Sequence, residues 1–93
     1  MAKWLRSGTR RDCCFLLADA EEPVTAQRLK TRLESHYDDH IDPEQFYRTL
    51  DALVNTGHVE RTADGIHDVY ALTDAGEAAL SAHVEWVRER VKN

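Results

Sequence analysis

The sequence predicts an α+β domain, mainly α, in which three helices precede a β-hairpin and a fourth helix follows it. Three observations carry this prediction. Apolar residues recur at helical spacing in four separate segments. The spacing changes towards alternation between residues 58 and 72, which is typical of paired strands. Near the middle of that stretch, Asp64-Gly65 indicates a tight turn, because both residues tolerate positive φ.

Helix 1 is predicted from Thr9, a suitable N-cap with Asp12 three residues later, to about Ala20. Its inner face carries Cys13, Leu16, Leu17 and Ala20, and Cys14 and Phe15 widen it. Adjacent cysteines are poorly placed for an ordinary disulfide, and no second pair completes a zinc site. We expect at least one of Cys13 and Cys14 to be a small buried residue; a thiol sensor is the alternative.

Helix 2 follows a break at residues 21–23. Val24 and Thr25 are predicted to form a very short strand, and Thr25 also caps the helix. The predicted inner stripe is Ala26, Leu29, Leu33 and Tyr37, and the outer face carries Gln27, Arg28, Thr31 and Arg32. The polar residues 38–40 are the predicted turn before helix 3.

Helix 3 has the clearest boundaries in the chain. Asp42 is a good N-cap, Pro43 suits the first helical position, and Ile41 and Phe46 have the spacing of a hydrophobic staple. Gly57 is suited to left-handed termination. The predicted buried side is Phe46, Leu50, Leu53 and Val54, and the exposed side is Glu44, Gln45, Arg48, Thr49, Asp51 and Asn55.

The hairpin is predicted to pair residues 58–62 with residues 68–72, and Thr73 is predicted to cap helix 4. The predicted dimerisation seam of helix 4 is Leu80, Val84, Val87 and Val91, which follow a/d spacing. The alternative is that this helix folds back entirely on its own core. Trp4 and Leu5 are also assigned to dimerisation, because apolar side chains in an N-terminal arm favour docking on the domain or on a partner subunit.

This order of elements is that of a winged helix-turn-helix, with helix 3 as the recognition helix and the hairpin tip as the wing. Residues 46–53 (FYRTLDAL) and 57–60 (GHVE) resemble the recognition-helix signature of PadR-like regulators, a Tyr followed by Leu at +3 and +6, then Gly, an apolar residue and an acid. Residues 70–76 (YALTDAG) resemble the Tyr-x-Leu-Thr-x-x-Gly ending shared by PadR-like and MarR-like winged helices.

The resemblance covers nearly the whole chain from helix 1 to helix 4. It implies a homodimeric transcription factor, usually a repressor, that binds an inverted-repeat operator in double-stranded DNA. Residues 1–93 would form a single winged-helix DNA-binding domain, with residues 74–92 as the dimerisation helix. The chain departs from larger family members in its short C-terminal region, and in the acidic Asp42 and Glu44 at the start of the recognition helix.

A major groove admits one α-helix, whose exposed side chains read the base edges. We expect Arg48 to pair with guanine and Gln45 with adenine, whereas Tyr47 either contacts DNA or packs against helix 2. The N-terminal ends of helices 1 and 2 would hold the DNA backbone, and the wing would enter or border a minor groove. The full predicted DNA-binding set is Arg10, Arg11, Thr25, Gln27, Arg28, Glu44, Gln45, Tyr47, Arg48, Thr49, Arg61, Thr62, Gly65 and His67.

A net charge of −5 does not favour binding to the phosphates of DNA. The distribution of the charged residues along the chain nevertheless allows a basic face. Basic residues cluster at residues 1–11 and 28–32, whereas acids crowd elsewhere. The excess of Arg over Lys, nine to three, resembles the usage of salt-adapted archaea; an ordinary mildly acidic bacterial protein is the alternative. With no apolar run near the roughly 20 residues of a bilayer span and no signal peptide, we expect a cytoplasmic protein with no membrane partner.

Other functions have weaker support. His36 and His40 would share a helix face and hold a metal only if helix 2 continued that far. No phosphate-binding loop or nucleophile motif is present, so we expect neither an enzyme nor a cofactor, and no small-molecule effector is evident. A winged helix that binds proteins instead of DNA is the serious competitor, and the acidic net charge favours it.

Overall fold

The computed structural model describes residues 8–91, and the predicted order of elements is confirmed. The elements are α1 (Gly8–Asp19), β1 (Val24–Thr25), α2 (Ala26–Tyr37), α3 (Pro43–Asn55), β2 (Val59–Asp64), β3 (His67–Leu72) and α4 (Asp74–Val91). The three strands form an antiparallel sheet in the order β1-β3-β2. The arm residues Trp4 and Leu5 lie outside the described residues.

The core lies between the first three helices and the inner end of the sheet. Its fully buried members include Leu29, Leu33, Phe46, Leu50, Leu53 and Val59. Cys13 and Cys14 are both 0% exposed, which confirms the buried interpretation, and burial raises the pKa of each thiol to about 12.

Tyr37 departs from the predicted inner stripe of helix 2. It is partly exposed, and its hydroxyl donates to the carboxylate of Asp12 in α1.

Three predicted N-caps are present: Thr25, Asp42 and, as described below, Thr73. The Thr25 hydroxyl accepts from the Arg28 amide at 3.2 Å, and the Asp42 carboxylate accepts from the Gln45 amide at 3.0 Å. Each therefore satisfies an amide that has no partner within its helix. Thr9, in contrast, lies inside α1 and is not its cap.

The hairpin is longer than predicted and turns one residue later. Asp64 pairs with His67, so the turn consists of Gly65 and Ile66. Gly65 has φ +68°, and among the non-glycine residues described only Asp38 has positive φ. A positive φ at the first central position alone is the pattern of a type II′ turn, which fits the twist of paired strands. All β2 side chains beyond Val59 are exposed, so this part of the hairpin projects as a wing.

Thr73 and Gly76 of the YALTDAG segment hold the start of α4 against the residues that follow α3. The Thr73 hydroxyl accepts from the Gly76 amide at 3.1 Å and donates to the Gly57 carbonyl at 2.6 Å. The Thr73 amide donates to the His58 carbonyl at 3.1 Å. A Cβ on Gly76 would lie 2.1 Å from that same carbonyl oxygen, so only glycine lets α4 start this close to the end of α3.

Helix α4 combines a buried start with an open far end. Gly76, Leu80 and His83 are buried, and Leu80 belongs to the core with 7% exposure. Leu80 is therefore a core contact, unlike the other three residues of the predicted seam. Among residues 8–91, no helix combines the length and apolarity that crossing a bilayer requires.

Candidate nucleic-acid interface

One groove, of about 330 Å³, brings together segments that are distant in sequence. We call it the wing groove; it is lined by Thr25, Ala26, Gln27, Tyr47, Ile66, His67, Asp68 and Tyr70. The start of α2, the middle of α3 and the wing each contribute to it. Four of the predicted DNA-binding residues therefore lie together here: Thr25, Gln27, Tyr47 and His67.

The outer face of α3 next to Tyr47 is exposed and polar. Glu44, Gln45 and Arg48 are exposed, whereas Thr49 is half-buried and its hydroxyl donates to the Gln45 carbonyl at 3.0 Å. None of the ion pairs found among residues 8–91 involves Arg48. Its guanidinium is thus available for the planar, two-pronged hydrogen bonding that guanine accepts.

The start of α2 offers fewer side chains than predicted. The Thr25 hydroxyl is already occupied by capping, which leaves Gln27 as the exposed side chain of this helix start in the wing groove. Arg28 is also exposed, but it lines a different groove together with Arg32 and the acidic residues Asp19, Glu21 and Glu22. Those acids offset the positive charge of Arg28, which makes this position less attractive to a phosphate than the start of a helix would otherwise be.

Arg61 connects the wing to α3. It pairs across the hairpin with Tyr70, and its guanidinium lies 3.7 Å from the Asp51 carboxylate. A hydrogen bond with Tyr70 is the main cause that raises the pKa of Arg61, and the charges of Tyr70, Asp68 and Asp51 add to it. This side chain braces the wing, whereas Thr62 and Gly65 are exposed further out along it.

The two arginines at the start of α1 are placed differently from the prediction. Arg11 lies beside Asp12, with 3.4 Å between Nε and Oδ1, and it faces α4 across a groove of about 310 Å³. That groove is lined by Arg11, Phe15, His83, Val84 and Val87. Arg10 is half-buried and has interactions of its own within the domain. Neither arginine lines the wing groove.

Ile66 is the wing residue that sequence reasoning missed. It follows the turn glycine and is 94% exposed, the most open large apolar side chain among the described residues. Its neighbours in the hairpin, Asp64 and Asp68, are acidic, so the wing tip presents an apolar contact instead of a cation. An isolated Ile next to a glycine turn was the available signal, but single exposed apolar residues are common.

A second surface is apolar. We call it the α4 face; it consists of Phe15, Val84, Val87 and Val91, which are 40%, 36%, 38% and 75% exposed. Beside it, His83 is buried and its Nδ1 has no hydrogen-bond partner among residues 8–91. Nearby, the Arg90 guanidinium lies 4.4 Å from the centre of the Trp86 ring.

The condition for the metal alternative is not met. Helix α2 ends at Tyr37, and Asp38 adopts a left-handed conformation, so His36 and His40 do not share a helical face. The described residues contain no group of three or more His, Cys, Asp or Glu side chains arranged to hold a metal ion.

These elements together form the winged helix-turn-helix fold. The chain is similar to RosR of H. salinarum, with TM-score 0.83 and 29% identity over 94% of this chain and 79% of that one. For RosR in the complex hsRosR-SG, the TM-score is 0.86 and the identity 27% over 99% and 83%. A PadR family transcriptional regulator from Eggerthella lenta, with TM-score 0.63 and 22% identity over 85% and 76%, shares the fold. No protein-family model and no curated protein matches the sequence.

Proposed function

We propose that this chain is a sequence-specific regulator of transcription that binds double-stranded DNA. One observation carries the proposal: the start of α2, the middle of α3 and the wing converge at the wing groove, and Arg48, which follows Tyr47 in α3, is exposed. This is the arrangement in which a helix can enter a major groove while a hairpin reaches the neighbouring backbone. The similarity to a PadR family transcriptional regulator agrees with it.

Base reading would fall to two side chains of α3. Arg48 matches the O6 and N7 acceptors of guanine, and Gln45 matches the N6 and N7 edge of adenine. Both are exposed on the same helix, one turn apart. Glu44 would accept from the amino group of cytosine, which gives the acidic start of α3 a role in selectivity.

The same proposal includes a homodimer on an inverted repeat. The α4 face leaves three valines and a phenylalanine partly in water, and a second copy would cover them by a symmetric helix contact. The partner would also lie close to the buried His83, whose Nδ1 has no hydrogen-bond partner among residues 8–91. Two recognition helices in successive major grooves on one side of a duplex require half-sites about 34–36 Å apart.

We further propose that the protein acts as a repressor. A dimer that occupies two successive major grooves prevents another protein from using the same stretch of duplex. When the operator overlaps a promoter, occupancy alone lowers transcription, and no further contact is needed. In vitro transcription from a promoter with the operator inserted should fall as protein is added, and a rise would contradict repression.

Selection of bound fragments from random duplexes tests the proposal directly. An inverted repeat should emerge, and its affinity should depend on salt because cations are exchanged at the phosphates. A fall of affinity with salt is the ordinary result; an acidic, salt-adapted binder would take up cations and show the opposite slope. Affinity that depends on neither sequence nor salt would contradict DNA binding and favour the protein-binding alternative.

A further inference from the structure

Glu34 holds both ends of the turn between α2 and α3. One oxygen of its carboxylate, Oε2, accepts from Lys30 Nζ at 2.9 Å and from the Ile41 amide at 2.9 Å, and lies 3.1 Å from His40 Nδ1. The Glu34 main-chain carbonyl accepts from the amides of Asp38 and Asp39. The carbonyl thus fixes where the chain leaves α2, and the carboxylate fixes where it enters α3.

The Ile41 amide is a sensitive point of this turn. Ile41 directly precedes Asp42, the N-cap of α3, and its side chain packs against the core. A hydrogen bond to an ionised carboxylate is stronger than one between neutral groups. The Glu34 carboxylate thus binds the chain one residue before the cap of α3.

The carboxylate is kept ionised by its surroundings. The Ile41 amide and then Lys30 are the leading causes that lower the pKa of Glu34. The Lys30 side chain is only 10% exposed, and its ammonium lies against Glu34. Lys30 and Glu34 are four residues apart in α2, so the ammonium and the carboxylate lie on the same face of the helix.

We propose that Glu34 is a positioning residue for DNA recognition: through the Ile41 amide it sets the orientation of α3, although Glu34 itself does not line the wing groove. This inference rests on the proposed DNA-binding function. Glu34 would then matter for duplex affinity beyond its contribution to the Lys30 ion pair. Variants that break that ion pair from either side separate the two contributions.

The test compares Glu34→Ala with Lys30→Met, because both remove the ion pair and only the first removes the acceptor of the Ile41 amide. In the full chain, amide hydrogen exchange of residues 41–46 is measured by NMR, and affinity for the selected duplex by fluorescence anisotropy. We expect Glu34→Ala to speed exchange at Ile41 and weaken binding by about tenfold or more, as for a lost hydrogen bond to a charged group. Lys30→Met leaves the Glu34 carboxylate and its bond from the Ile41 amide in place, so it should change both quantities clearly less than Glu34→Ala does.

The outcomes are distinguishable. Equal losses of affinity in the two variants would show that the ion pair, and not the turn contact, is what matters, and would overturn the proposal. Unchanged exchange at Ile41 in Glu34→Ala would overturn it whatever the duplex result. If the unaltered protein binds no duplex, the DNA-binding function fails, and the exchange data still decide whether Glu34 holds the turn. Should Glu34→Ala not fold, Glu34→Gln, which keeps an acceptor oxygen without the charge, should give a smaller loss of the same kind.

Discussion

The wing groove and the α4 face are two open surfaces built on opposite chemistry. The wing groove collects mostly polar side chains from the start of α2, the middle of α3 and the wing. The α4 face is apolar and comes from two helices only. A polar concave surface suits a hydrated, charged ligand, whereas an apolar helix face gains stability when another apolar face excludes water from it. Under the proposed function, DNA would bind the first surface and a second copy of the chain would cover the second.

Arg48→Ala is the strongest test of DNA binding through the exposed side of α3. A two-pronged Arg–guanine contact contributes about 1–3 kcal/mol, and a dimer loses it twice, about 2–6 kcal/mol in all. Specific binding in a mobility-shift assay should disappear, while size and thermal stability stay unchanged. Arg88→Ala is the matched control, because Arg88 is exposed on α4 and pairs with Glu85 at 3.5 Å. Unchanged affinity in Arg48→Ala would remove α3 from the role of recognition helix.

The α4 face is tested by Val87→Asp. A carboxylate placed in an apolar contact between two copies is an uncompensated charge that costs about 3–5 kcal/mol. Sedimentation should show monomers, and affinity for the full inverted repeat should fall towards that of a half-site. Ala82→Asp is the control, since Ala82 is exposed and lies on the other side of α4. A dimer that survives Val87→Asp would place the partner elsewhere.

Gly76→Ala tests the junction that both surfaces share. The added Cβ would lie 2.1 Å from the His58 carbonyl oxygen and 2.8 Å from Leu72 Cδ1, so α4 must shift away from the end of α3. We expect the free energy of unfolding to fall by about 1–3 kcal/mol, measured by urea titration. Ala75→Ser, at an exposed neighbouring position, should change it by less than about 0.5 kcal/mol. Equal stabilities would mean that the close approach is not required.

The two surfaces also differ in how far the sequence predicts them. Helix caps and the strand period are local, so the elements, the caps at Thr25 and Asp42 and the exposed side of α3 follow from neighbours along the chain. An a/d repeat shows that residues share a stripe but not what covers it, and Leu80 is covered by its own core. The groove that Arg11 lines is completed by residues of α4, and the acid beside Arg61, Asp51, comes from α3.

Contacts between residues of different elements depend on tertiary packing, which cannot be read directly from a single sequence. The turn register illustrates the same limit at short range. Both Asp64-Gly65 and Gly65-Ile66 are acceptable turn pairs, and the pairing of Asp64 with His67 selects the second. The predicted wing position was therefore correct to within one residue, whereas the residue at its tip, Ile66, was not anticipated.

Ile66→Ala tests how much the wing contributes to duplex affinity. If the exposed side chain packs against the sugar edges of a minor groove, its removal should reduce duplex affinity by up to about 1 kcal/mol, a few CH₂ groups of partial burial. Folding stability should not change, because Ile66 is 94% exposed. Identical affinity for the two proteins, measured by anisotropy on the same duplex, would show that the wing stays clear of the DNA.

The smallest expected effect concerns the core beneath both surfaces. Burial raises the pKa of Cys13 and Cys14 from 9.0 to about 12, so at pH 8 both thiols stay protonated in the folded state. Because the thiolate is the reactive form, a thiol reagent at pH 8 should label the native protein far more slowly than the urea-unfolded one and leave duplex affinity unchanged. The raised pKa stabilises the fold fully below pH 9, and this contribution is lost as the pH rises towards 12. Rapid native labelling with loss of binding would instead connect the core to the wing groove and revive the thiol-sensor interpretation.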